Sequence, residues 1–285
     1  MLRTDKIKFA TLSLFLYPAL LGAADLESET LQAWDVYVQQ ARMRVQDHSR
    51  GQTPFLQVDE SRELCERVRA GEVLVEPEDG KSPHLVKHGL IHDWVGVVFI
   101  PNAKLDDVVG ALNSYGRYQD YYRPMVVKST VLEEEANSAR VRLLMVQKAY
   151  SVNAAVEADD EIQFVRLDQN KAYSVSTSIR VQEIADYGKP SAHALPQDHG
   201  PGYVWRTLTV TRLEERDGGT YAEMEMIALS RGIPWALRWM VQPLAERLPR
   251  TLLDALLRDT RTAVSDEVRT APAMTARLPQ SLDHR

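Results

Sequence analysis

Over 285 residues, acidic side chains outnumber basic ones 40 to 34, for a net charge of -6, and 44% of residues are hydrophobic. That composition excludes a disordered chain, and its acidic balance argues against nucleic acid as a partner. Cys65 is the only thiol, so an intrachain disulfide is excluded.

Arg3, Lys6 and Lys8 precede an apolar run from Phe9 to Leu21, followed by the small residues Gly22 and Ala24. This is the layout of a secretory signal peptide over residues 1–24. The run is too short to span a bilayer comfortably, although an uncleaved anchor is the rival reading. The expectation is a soluble protein that is periplasmic or secreted from a bacterium.

Leu31, Trp34, Val38, Ala41 and Val45 recur at steps of three and four, which predicts an amphipathic helix over Glu27–Asp47. A short helix over Ser61–Ala70 and a strand over Glu72–Glu76 follow, forming an N-terminal helical extension over residues 25–82. Cys65 in that short helix reads as a small buried hydrophobe.

The main domain, residues 83–270, opens with a strand over Asp93–Ile100 that Pro101 ends. Asn102 is a candidate cap for a helix whose inward face carries Leu105, Val108, Val109 and Leu112. Tyr115, Tyr118 and Tyr122 continue at helical spacing to Pro124. Six strands are then expected, over Met125–Glu133, Ala139–Val152, Ala154–Leu167, Ala172–Ile184, Tyr203–Glu214 and Tyr221–Ser230. Strands in series without helices between them predict an antiparallel sheet.

A long helical region closes the chain. Pro234 suits its first turn, and Pro243 and Pro249 are expected to kink or divide it. Leu252, Leu253, Leu256, Leu257, Thr260 and Val264 form its apolar face, and residues 271–285 read as a flexible tail. The fold class is therefore α+β, with a curved antiparallel sheet wrapped around a long C-terminal helix in a helix-grip layout.

The segments Glu29-Thr30, Ala33-Trp34-Asp35, Tyr37-Val38, His92-Asp93-Trp94, Tyr115, Arg117-Tyr118 and Tyr122-Arg123-Pro124 carry a family resemblance. So do Glu214–Gly219, Leu229–Pro234, Pro249-Arg250 and Leu253. Together they resemble the START-like, or SRPBCC, superfamily, in particular its exported bacterial members. The resemblance implies an internal cavity for a hydrophobic small molecule or lipid, in some members with polyketide cyclisation, and it assigns no binding residue.

Several constellations compete for function. His84, His88 and His92 recur every four residues, but on a strand that interval spans about 13 Å, too far for one metal ion. His92 beside Asp93 reads as a structural pair. Alternation puts Glu223 and Glu225 on one face, expected to meet water beside arginines of neighbouring strands, and Met224 and Met226 on the other. No nucleophile elbow, phosphate loop, dinucleotide fingerprint or zinc-protease motif occurs, so neither catalytic residues nor a metal or cofactor is assigned. The expected ligand cavity lies between sheet and terminal helix, lined by Trp235, Trp239, Met224, Met226, Tyr118, Tyr122 and Arg206. Its partner is a hydrophobic molecule or lipid, with transient membrane contact compatible with that cargo. The alternatives are a cyclase-like or hydrolytic enzyme of the same fold, and a structural or partner-binding protein without ligand.

Overall fold

The computed structural model describes residues 23–149, 152–233 and 238–275, so the segment expected to act in targeting lies, up to residue 22, outside the described residues. The chain begins with strand β1 (Ala24–Asp25) and helix α1 (Ser28–Ser49), then a 3-10 turn (Gln57–Glu60) and α2 (Arg62–Arg69). Strands β2 (Leu74–Pro77), β3 (His84–Val86) and β4 (Gly89–Pro101) lead to α3 (Leu105–Asn113) and the single turn α4 (Tyr118–Tyr121). Strands β5 (Val126–Glu134), β6 (Ser138–Ala149), β7 (Val152–Arg166) and β8 (Lys171–Ala185) follow. The short β9 (His193–Ala194) and β10 (His199–Gly200) precede β11 (Arg206–Arg216), β12 (Gly219–Arg231) and α5 (Arg238–Thr275).

The main sheet runs in the order β2-β4-β12-β11-β8-β7-β6-β5, antiparallel throughout. Asp217-Gly218 makes the two-residue reversal between β11 and β12, where both residues have positive φ, as such a hairpin demands. A bulge at Asp159/Asp160 between β7 and β8 bends the far half of the sheet.

Both faces of the central strands are covered. On the inner face, Leu253, Leu257 and Val264 of α5 pack with Trp94, Val98, Ala222 and Met224, and α3 adds Leu105, Val108 and Ala111. On the outer face, Trp34 and Ala41 of α1 meet Ile91, Leu208, Ile227 and Leu229, while Val68 of α2 and the Phe55–Val58 segment meet Leu74, Val97, Phe99 and Tyr221. Double coverage explains why β4 is buried along nearly its whole length and reads as an apolar run. The helix approaches β4 closely at Gly96, where an added Cβ would stand 2.7 Å from a Leu257 methyl.

Three local expectations change. Asn102 does not cap α3: it sits in a turn at φ 62, and the cap position is Lys104, whose amide donates to Asp107 at 2.8 Å. Pro243 and Pro249 do not divide the terminal helix, which runs unbroken for 38 residues and continues past residue 271 to Thr275. Each proline removes one amide donor, and burial of Leu253, Leu257 and Val264 holds the adjacent turns. Cys65 is partly buried, with its Sγ 3.4 Å from the Tyr221 hydroxyl.

Candidate functional site

Strand register places a polar row across the inner face. His92 on β4 pairs with Ala228 on β12, which pairs with Thr207 on β11. The Ser178 hydroxyl on β8 accepts from the Thr207 amide at 2.8 Å, and Ser178 pairs with Asp160 on β7. Around this row the same face carries Trp94, Thr209, Met226, Ser174, Ser176 and Phe164. Described turns of α5 pack against β4, β2 and β12. Further along, Thr207, Thr209, Ser174, Ser176, Met226, Phe164, Leu143 and Met145 stay only partly buried. Beyond the reach of those turns, the described inner face thus carries partly buried small hydroxyls, thioethers and aromatic rings.

Three buried polar atoms there have no partner among the described residues: His92 Nδ1, Trp94 Nε1 and Asp160 Oδ1. The other ring nitrogen of His92, Nε2, lies 2.9 Å from Ser230 Oγ. Burial holds His92 down to about 4, so the ring is neutral at physiological pH. Burial, aided by the Asp159 charge, pushes Asp160 up to about 6. His92 and Asp160 are four strand spacings apart, roughly 19 Å along the sheet, and cannot share a proton. Among the described residues, no carboxylate bonds the other ring nitrogen of His92. The adjacent Asp93 points to the opposite face, which corrects the expected His92–Asp93 pair.

Met224 and Met226 face the cavity side, Met224 packed in the core and Met226 partly open. Tyr118 and Tyr122 lie in an edge-to-face chain with Tyr115 and Tyr121. The Tyr118 hydroxyl donates to the Leu112 carbonyl at 2.6 Å, and that of Tyr122 meets Thr260 Oγ1 of α5 at 3.1 Å. They fasten α4 to α3 and α5. The structure places Arg206 on the outer face instead, forked onto Asp198. Trp235 and the side chain of Trp239 lie outside the described residues. His84 approaches Asp79 at 3.3 Å and His88 occupies the tight turn before β4, so the three histidines do not converge.

Sequence reasoning passed over Asp160, although alternation from Ile162 and Phe164 puts it on the inward side of β7; the bulge's extra residue is Ile179 on β8, which leaves the β7 alternation intact. The inward side of His92 was available from its parity with Trp94.

Glu223 and Glu225 do not meet water; both are buried, Glu225 against Arg44 of α1 and Glu223 against the Gln57 amide. Arg212 donates to Glu223 at 2.9 Å and approaches Glu225 at 3.5 Å. Arg44 of α1 bonds Glu225 at 2.6 Å and Asp93 at 3.0 Å, with Glu78 at 3.6 Å. Tyr37 donates to Asp93, and the Gln57 amide donates to Glu223. Two guanidinium groups thus face four carboxyls. Burial, reinforced by the Glu225 charge, pushes Asp93 up to about 7; burial raises Glu223 to about 7 against the pull of Arg212, and burial raises Glu78.

Such carboxyls hold more protons folded than unfolded, so their stabilisation is lost as pH rises through the folded value. His92, and His48 at the rim of the cluster, are lowered by burial and act oppositely, losing stability as pH falls below 6.5. From pH 6.5 to 8 the carboxyls dominate, and resistance to urea is expected to fall by on the order of 1 kcal/mol. A curve that rises across that interval would contradict the assignment.

The strand order, the bend at β7 and β8 and the single long helix across the inner face together define the architecture. It is a helix-grip fold. No protein-family model matches the chain, and a search of curated proteins finds no match. Among solved structures, the chain is similar to a STAR-related lipid transfer protein fragment from Xanthomonas axonopodis, at 18% identity and TM-score 0.41, over 63% of this chain and 98% of that one. It is similar to the Zhui aromatase/cyclase from Streptomyces sp. R1128, at 14% identity and TM-score 0.44, over 63% and 94%. Human STARD10 is matched at 7% identity and TM-score 0.42, over 70% and 80%.

Proposed function

We propose that the helix-grip domain binds an amphipathic small molecule or lipid on its inner face and does so without turning it over. The observation that carries this reading is the set of unpartnered buried polar atoms on one open face: His92 Nδ1, Trp94 Nε1 and Asp160 Oδ1. Leaving a buried polar group unsatisfied costs about 1–3 kcal/mol, and a ligand with oxygens at matching positions would recover it. Met226, Met145, Leu143 and Phe164 offer the apolar surface for the rest of such a molecule, and thioethers adapt to irregular shapes. The absence, among the described residues, of an orienting carboxylate behind His92 favours holding over hydrolysis.

Methyl-labelled methionine NMR tests the location with a control in the same molecule. On titration with 1-anilinonaphthalene-8-sulfonate, the methyls of Met226 and Met145 should shift while Met43, half-exposed on α1, stays still. A shift of Met43 alone, or no shift at all, would count against an inner-face site.

A further inference from the structure

At the opposite end of β4 from His92, the end of α2 and later turns of α5 flank an open cleft of about 440 Å³. Arg69, Arg261 and Arg269 line it together with Thr262, Ser265 and the rings of Phe99 and Pro101. No aspartate or glutamate is among its described lining residues, in a chain whose acids exceed its bases by six. We propose that this cleft binds a phosphomonoester group, with the small organic remainder lying against Phe99 and Pro101.

The arginines are held differently, and each leaves donors for a ligand. Arg261 is anchored by one bond from Nη1 to the Gly71 carbonyl at 3.0 Å, which fixes its fork over the cleft. The Arg69 side chain is exposed and makes no hydrogen bond or ion pair with any described residue. Arg269 shares its charge with Asp266 on its own helix. Among the described residues, the guanidinium groups of Arg69 and Arg261 thus remain without a carboxylate, matching a phosphate dianion, whose oxygens take paired N–H donors from arginine.

The backbone also leaves space. Gly71 has φ +103, and a Cβ added there would meet nothing within 4 Å. The carbonyls at the end of α2 do not repel an anion freely, because Glu66, Arg67 and Val68 already accept from Ala70, Glu72 and Gly71. The volume exceeds what bare phosphate needs, and the buried Phe99 ring forms part of its floor. These features select an ester over the free ion. The proposal is independent of the inner-face reading.

Calorimetric titration of the full chain with inorganic phosphate, phenyl phosphate and sulfate tests it. Phenyl phosphate should bind more tightly than inorganic phosphate, and both more tightly than sulfate. Arg69→Ala, an exposed position, should weaken phenyl phosphate about tenfold without changing the circular dichroism, and Arg261→Ala should do the same. Sedimentation with phosphatidylcholine vesicles containing phosphatidic acid separates the sources. Co-sedimentation lost in Arg69→Ala places the phosphate on a lipid headgroup; phenyl phosphate binding without co-sedimentation places it on a soluble ester. Equal titrations of wild type and Arg69→Ala, or sulfate binding as well as phenyl phosphate, would overturn the proposal.

Discussion

Arg212→Ala is expected to destabilise the fold by about 3–5 kcal/mol in urea at pH 7, the range for removing one partner from a buried ion pair. The Arg212 side chain is 4% exposed and is the principal counter-charge of Glu223. Without it, Glu223 keeps only the Gln57 amide, and Glu225 keeps Arg44. Two buried carboxyls would then share one guanidinium fewer. Lowering the pH to about 5.5 should restore part of the loss, because the stranded carboxyls can take up protons instead. The exposed pair Arg62–Glu66 supplies the contrast: Arg62→Ala should change stability by no more than about 0.5 kcal/mol. If both variants unfolded at the same urea concentration, the cluster would not be holding the N-terminal helix to the sheet.

Leu257→Ala should cost about 2–5 kcal/mol, the usual range for deleting a buried leucine side chain to the β-carbon. Leu257 is 1% exposed and reaches over Gly96, where β4 has no side chain of its own to fill the space. The void would open directly beneath α5, over Gly96 of β4. Thermal unfolding followed by circular dichroism measures the loss, and adding an apolar ligand should recover part of it by mass action. A loss below about 1 kcal/mol would mean that α5 can settle onto β4 and that the helix does not set the depth of the site.

The order of elements was legible because each carried its own period. The three-and-four spacing from Leu31 to Val45 located α1, and the apolar density from Trp94 to Ile100 located β4. Alternation correctly separated Met224 and Met226 from Glu223 and Glu225. It could not say that the glutamate face would be covered, since that depends on α1 folding back over strands nearly two hundred residues away. Nor could local sequence show that Arg206 takes the outer face beside Asp198, or that helical turns would continue through Pro243 and Pro249. The short pairings of β1 with β10 and of β9 with β8 left no periodic trace, because two residues are too few to show one.

On the proposed function, an amphipathic ligand lies against the inner face, where His92 Nδ1, Trp94 Nε1 and Asp160 Oδ1 have no partner among the described residues. Mass spectrometry of the organic extract from natively purified protein tests it most directly, with Met226→Trp beside the wild type to crowd the inner face. The wild-type extract should contain an apolar molecule bearing oxygen at near-stoichiometric amount, and the Met226→Trp extract should be depleted of it while the protein remains folded. An empty wild-type extract, or equal amounts from the two proteins, would contradict the account.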